Sequence, residues 1–351
     1  MSSDSRIGST DRGDGVDQSS RNGVLAAGSF IVDHVKIIDT WPAQDMLANI
    51  TSEAMSNGGG PYNVLKDLKA LGAEFPLEAA GLLGRDADAR WIRADCSACD
   101  IDIAQLHTAD MAATSYTDAM CVAHDGRRTF FHHRGVNSLF SPEHVDLESS
   151  NARIFVLGYL LLLDAMDQTD DDGHTGASRL LERARSLGFL TAVETVSAID
   201  EGFREVVIAS LQHADLFFLN EVEASLVLGR EVEPNRASLE SAADEIAALG
   251  APGRVILHCV RGAVCREQDG TLTTQPSLDL PSDHVEGSTG AGDAFTAGFL
   301  LGVHRNTDTG TSLLQGVCTA AQSLTHPTAS GGMRPLDECM LLPERFAFRD
   351  F

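Results

Sequence analysis

The sequence predicts an α/β protein with a mostly parallel, doubly wound sheet and helices on both faces. Three observations carry this. Strand-length apolar runs alternate with helix-period segments through the second half of the chain. Two glycine-rich loops, 57–60 and 287–292, each run directly into a helical pattern. Hydrophobic residues make up 43% of 351 residues, enough for one large domain with a sizeable core.

The elements follow in chain order. Residues 1–22 are rich in Ser, Asp, Arg and Gly and read as a disordered tail before a domain over 23–345. Ala26–Asp33 reads as a first buried strand ending in a carboxylate, and Val35–Thr40 as an excursion from the core. Asn57-Gly58-Gly59-Gly60-Pro61-Tyr62-Asn63 opens a helix whose apolar positions are Val64, Leu65, Leu68 and Leu71, with Gly72 as its stop. Leu82-Leu83-Gly84-Arg85-Asp86 is a strand running into a turn. A second excursion covers about Thr114–Asn137: Tyr116–Ala123 has strand character, Asp125-Gly126 is a hairpin signal, and Arg127–His133 returns. Strands then follow at Ile154–Gly158, Leu190–Glu194, Asp215–Leu219 and Arg254–His258, with helices at Ala177–Leu187, Glu201–Leu211 and Ser238–Leu249.

The chemistry concentrates at Gly287-Ser288-Thr289-Gly290-Ala291-Gly292-Asp293. Small residues let a backbone approach a ligand closely, and the free N–H groups at a helix start favour anions. A carboxylate beside such a cradle can take a proton from an attacking hydroxyl, so the loop points to phosphoryl transfer onto an alcohol. It is not a dinucleotide fingerprint, because Phe295 stands where the third glycine would be, and it lacks the lysine of a Walker loop.

This loop, with Ala297, Gly298, Phe299 and Leu300, resembles the second signature of the ribokinase-like (PfkB) carbohydrate kinases. The 57–63 loop resembles their first, with Leu65 in place of a small residue. The likeness spans about 24–340 and implies a ribokinase-like three-layer fold with a small β-sheet lid formed by about 34–56 and 108–137. It implies Asp293 as general base and the N–H groups of Gly290, Ala291 and Gly292 as anion hole. Asp33, Gly59, Gly60 and Asn63 would contact the acceptor. The Asn-x-x-Glu pair Asn220 and Glu223 would hold Mg2+ through water, and Gly262 and Ser288 would contact ATP. Two departures stand out. Gly287 replaces a polar residue, commonly Asp, that helps hold a monovalent cation, which puts potassium activation in doubt. His258-Cys259-Val260-Arg261-Gly262 keeps only the last glycine of the usual Thr-Leu-Gly-x-x-Gly nucleotide turn.

His132-His133-Arg134 ends the proposed lid strand. Its readings are a solvated edge, an acceptor contact through Arg134, or a metal site, which suits adjacent histidines poorly because they point to opposite faces. Cys96-Ser97-Ala98-Cys99 lacks a second pair for zinc, and Asp170–His174 reads as a solvated turn.

Bulk properties set limits. A formal charge of −25 argues against nucleic acid as a partner. The best apolar run, Ile154–Leu163, is too short to span a bilayer, and the N-terminus has no signal-peptide core, which predicts a cytoplasmic location. Seven cysteines without a framework suit reduced thiols. The leading expectation is ATP-dependent phosphorylation of a sugar hydroxyl by a homodimer joined through the lid. A nucleoside kinase is an alternative, for which Tyr62, Tyr116 and Phe131 are available aromatics, and a non-catalytic binding relative is another.

Overall fold

The computed structural model describes residues 21–124, 128–198 and 202–351. Residues 1–20 of the expected tail, the Asp125-Gly126 turn signal, Arg127 and Glu201 lie outside the described residues. Arg21 and Asn22 are anchored rather than part of a tail. The Arg21 guanidinium donates to the carbonyls of Ser150, Ala152 and Leu187 and lies over the Phe189 ring, while Asn22 N–H donates to the Asn151 carbonyl.

In chain order the strands are β1 (Val24–Gly28), β2 (Ile31–Ile38), β3 (Ile50–Gly58), β4 (Leu77–Leu83), β5 (Asp102–Thr108), β6 (Tyr116–Val122), β7 (Arg128–His133), β8 (Ile154–Leu160), β9 (Leu190–Thr195), β10 (Leu216–Asn220), β11 (Arg254–Cys259), β12 (Gly262–Arg266) and β13 (Leu272–Pro276). The helices are α1 (Gly60–Ala70), α2 (Ala87–Ala98), α3 (Asp164–Asp167), α4 (Gly176–Ser186), α5 (Phe203–Leu211), α6 (Glu221–Leu228), α7 (Arg236–Ala248), α8 (Ala291–His304), α9 (Thr309–Ser323), α10 (Leu336–Cys339) and α11 (Leu342–Arg345).

Nine strands form one sheet in the order β13-β12-β11-β10-β9-β8-β1-β4-β5. It is parallel from β5 to β11, and β12 and β13 close it as an antiparallel edge. Both faces are buried, so its strands read as continuous apolar runs. Val24 and Ala26 of β1 pack with Leu65 of α1, Ile92 of α2 and Phe299 of α8, while Leu25 and Ala27 pack with Leu180 of α4, Val207 of α5 and Val227 of α6. These are the three layers expected. Among the described residues no helix is long and apolar enough to cross a membrane.

A second, four-stranded sheet has the order β3-β2-β6-β7. Its parallel β2–β6 pair sits between two antiparallel pairs. Here one expectation is corrected. Ala26–Asp33 is not one strand, because the chain leaves the large sheet at Gly28 and enters the second sheet at Ile31. Gly28 has φ +129, and the place of a Cβ is taken by the Gly158 carbonyl, so only glycine makes this exit. Asp33 therefore belongs to the second sheet, and β3, unmarked in the sequence, continues through Asn57 and Gly58 to the start of α1. The carboxyl ends of β8, β9, β10 and β11 meet the start of α8 around one cavity.

Candidate active site

The site is built around the first turn of α8. Gly290 caps this helix with φ +79, and a Cβ there would stand 2.8 Å from Ala329 Cα, so the turn requires glycine twice over. The first turn of the helix borders a cavity of about 340 Å³ that Gly290, Ala291, Gly292 and Asp293 line together with Glu194, Asn220 and Glu223. Asp293 is 4% exposed. Its Oδ1 accepts from the Tyr159 hydroxyl at 2.5 Å and its Oδ2 from Asn63 Nδ2 at 2.7 Å. Burial pushes its carboxyl up to about 6, even though the hydrogen bonds from Tyr159 and Asn63 act the other way. Asn63 Oδ1 in turn accepts from Asn57 Nδ2 at 2.7 Å, which also donates to Ser330 Oγ at 2.9 Å. The aspartate is thus held by a chain of amides reaching to the loop after α9.

Asn220 and Glu223 form a capping box on α6. Asn220 Oδ1 accepts the Glu223 N–H at 2.9 Å, and Glu223 Oε2 accepts the Asn220 N–H at 3.0 Å. The cap and the cavity lining are the same residues, and Glu223 held in this cap is near enough to Asp293 to act on its carboxyl. Burial raises the Glu223 carboxyl. Beside it Glu194, at the end of β9, is buried with Oε2 unpartnered, and burial pushes its carboxyl well above the ordinary range. Among the described residues no cluster of three or more His, Cys, Asp or Glu forms a ready-made metal cage. The donors present are carboxylates and an amide oxygen on one side of an open cavity, which suits a hard cation that brings phosphate and water ligands of its own.

A larger cavity of about 480 Å³ adjoins on the other side of the α8 N-terminus. The two cavities share His258, Ser288, Ala291 and Gly292. Its walls are mainly apolar, with Val260, Leu278, Val285, Val317 and Leu324 among them, and Gly262 lines it where β12 begins. Glu221 also faces this cavity. Half-buried His258, tilted on Phe295, is pushed down to about 4 by desolvation and stays neutral at ordinary pH.

The second sheet supplies the remaining wall. Asp33 lies across β2 from Ser56 and Thr117, and its carboxylate rests on Gly58. Burial lifts it to about 7, with the Thr117 hydroxyl acting against the rise. Gly59 caps α1, and Gly60 packs against the Tyr159 ring and Glu194. Strand alternation divides the basic cluster: His132 bonds Thr117 Oγ1 at 3.0 Å on one face, while His133 stacks on Tyr116 on the other. Arg134 lines none of these cavities; its guanidinium pairs with Asp164. Tyr62 is fully buried, stacked on Phe30 and donating to Asp95, so it is unavailable to a nucleobase. Phe131 stacks on Trp41 on the outward face.

Tyr159, Glu194, Asn57, Ser330 and His258 had no local signal that set them apart. They stand at strand ends or in the 327–330 loop, far apart in sequence, and the one available clue was an ionisable or hydroxyl group closing an apolar run.

The pfkB family carbohydrate kinase profile matches residues 23–335. The chain is 26% identical over 278 residues to an ATP-dependent ribose-1-phosphate kinase of Halopiger xanaduensis, covering 79% of this chain and 83% of that protein. It is 26% identical over 196 residues to an adenosine kinase of Saccharomyces cerevisiae, covering 54% and 55%. Among solved structures, a putative ribokinase of Agrobacterium tumefaciens superposes with a TM-score of 0.75 at 16% identity over 93% of this chain and 98% of that one. On its sequence, fold and profile match together, this chain belongs to the pfkB family of carbohydrate kinases.

Proposed function

We propose that the chain transfers the terminal phosphoryl group of ATP to a hydroxyl of a ribosyl-type sugar. The observation that carries this is Asp293, a buried carboxyl held near pH 6 in the same cavity that Gly290, Ala291 and Gly292 line at the start of α8. Such a group is ionised at neutral pH and still basic enough to accept a proton. The acceptor oxygen attacks the terminal phosphorus, its proton passes to an Asp293 oxygen, and the bond to the leaving diphosphate breaks. Charge building on the phosphoryl oxygens faces the N–H groups of Gly290, Ala291 and Gly292. Asn220 and Glu223 would hold Mg2+ through water, with the unpartnered Oε2 of Glu194 beside them; the ion would neutralise phosphate charge. The mainly apolar cavity beyond Ser288 and Gly262 would take the nucleotide base.

Asp33, Gly59, Gly60 and Asn63 would contact the acceptor, with His132 joined to Asp33 through Thr117. Arg134, engaged with Asp164, leaves our acceptor set. The named substrates of both relatives carry a ribosyl ring, which supports that class. The second sheet would act as a lid that excludes water during transfer. The β2–β3 connection exposes Trp41, Met46 and Leu47 beside Ile50 and Phe131 of the sheet, and we infer that two copies pair there. Sedimentation velocity checks this: a dimer that Trp41→Glu converts to monomer is expected, and a monomeric wild type would refute it.

The deciding experiment is ADP release with MgATP over ribose, ribose 1-phosphate, adenosine and fructose, with Asp293→Asn alongside. Turnover on a ribosyl acceptor that the variant loses is the expected result. ATP binding without turnover on any acceptor would favour the non-catalytic reading.

A further inference from the structure

The loop into α8 lacks the ligand for a monovalent cation that the family resemblance places at position 287. Gly287 has no side chain to offer, and the space for one is already occupied. A Cβ there would lie 2.9 Å from Pro327 Cα, 3.1 Å from Arg128 Cζ and closer still to Arg128 Nη2. Arg128 comes from the other sheet, at the start of β7. It donates through Nη1 to Thr289 Oγ1 and through Nη2 to the Glu286 carbonyl at 3.5 Å. One guanidinium thus grips the loop on both sides of Gly287, one residue before the Gly290 cap. It also lines the small space that Asp33, Ser56 and Ala329 share.

We propose that Arg128 is this chain's built-in monovalent cation, a tethered positive charge that makes a dissolved one unnecessary; the proposal rests on the kinase reading above. A guanidinium stays charged at every relevant pH and its flat fork satisfies several oxygens at once. Negative charge gathers nearby: half-buried Asp33 shares that small space with the guanidinium, and Asp33 in turn feels the buried Asp293. Gly287 is the complement of the same device, because any side chain at 287 would push the guanidinium off the loop. A tethered cation differs from a dissolved one in a useful way. Its charge reaches the loop only while the second sheet lies against it, so closing that sheet and ordering the anion hole become one event. Arg128 is a positioning residue, acting through Thr289 and the 286–289 backbone.

The test compares initial rates and thermal unfolding in KCl, NaCl and choline chloride at equal ionic strength. Wild-type rates are expected to agree within about twofold across the three salts, since only nonspecific screening remains. Arg128→Ala should lower kcat about 10- to 100-fold, the scale of a misplaced reacting geometry, with a much smaller change in acceptor KM. Low-millimolar guanidinium should restore part of that loss in Arg128→Ala and leave the wild type unchanged, and Arg128→Lys should fall between. Acceleration of the wild type by KCl of about tenfold over choline, or an unchanged kcat in Arg128→Ala, would overturn the proposal. The unfolding arm needs no turnover: MgADP should stabilise the wild type equally in KCl and choline and stabilise Arg128→Ala less. A potassium-specific rise in the wild-type midpoint would also overturn it. Absence of turnover on every acceptor would count against the kinase reading, and the unfolding comparison would still decide the role of Arg128.

Discussion

Replacing Asp293 with Asn should destroy turnover and make the protein more stable at the same time. The structure supplies the reason. Asp293 is buried, and its carboxyl sits at about 6 rather than 3.8. Keeping it ionised at pH 8 therefore costs the fold up to about 3 kcal/mol, and sharing the effect with the neighbouring Glu223 brings the expectation to about 1–3 kcal/mol. The sign is unambiguous. The folded state holds this proton more tightly than the unfolded chain, so the group's contribution is greatest below about 4 and is lost as pH rises through about 6. Asn imitates the neutral form, and the site can accept it. The new amide would meet Asn63 Nδ2 donor to donor, but turning Asn63 and then Asn57 reverses each bond in the relay and leaves the Ser330 hydroxyl to donate. The Tyr159 hydroxyl still finds an oxygen. Thermal and urea unfolding of both proteins at pH 8 and pH 5 is the assay. A midpoint about 1–4 °C higher for the variant at pH 8, falling to about half that gap at pH 5 because the unfolded carboxyl is still ionised there, is expected for a chain of this length. The kcat should fall at least about 100-fold, the range for loss of a general base. A variant less stable than the wild type at pH 8, a gap independent of pH, or near-normal kcat would refute the reasoning.

Two further substitutions probe the same turn. Tyr159→Phe removes the hydroxyl that holds the Asp293 carboxyl down, so the acid limb of the kcat/KM profile should move up from about 6 by about one pH unit; an unmoved limb would mean the bond has no bearing on the base. Gly290→Ala forces a side chain into φ +79 against Ala329 and should cost about 1–3 kcal/mol in urea unfolding along with most of the turnover; wild-type stability would contradict the loop geometry.

Much of the scaffold was legible from local signals. Alternating apolar runs mark β8 to β11 because both faces of a parallel sheet are buried, and periodicity with a glycine stop marks α1 and α4. The loop at 287–293 stood out in the sequence because a helix start, small residues and a carboxylate need only be neighbours along the chain. The Asn-x-x-Glu pair was equally readable, and its cap and its place in the cavity prove to be one arrangement. The break at Gly28 was not legible, because Ala26–Val32 is a run of small and apolar residues and nothing local says that a Gly158 carbonyl must pass where a Cβ would be.

The environment of the acid was beyond local reading as well. Residue type makes Asp293 a carboxyl, but its affinity for a proton depends on Tyr159 and Asn63, 134 and 230 positions away, and on burial from every side. The same holds for Arg128, an unremarked strand residue until the second sheet lays it on the loop 158 to 161 positions further on. Strand, helix and loop identity follow from short-range sterics and periodicity, which neighbouring residues encode. Desolvation and charge pairing fall off over a few ångströms of space rather than over positions in the chain, and only the packed fold sets those distances.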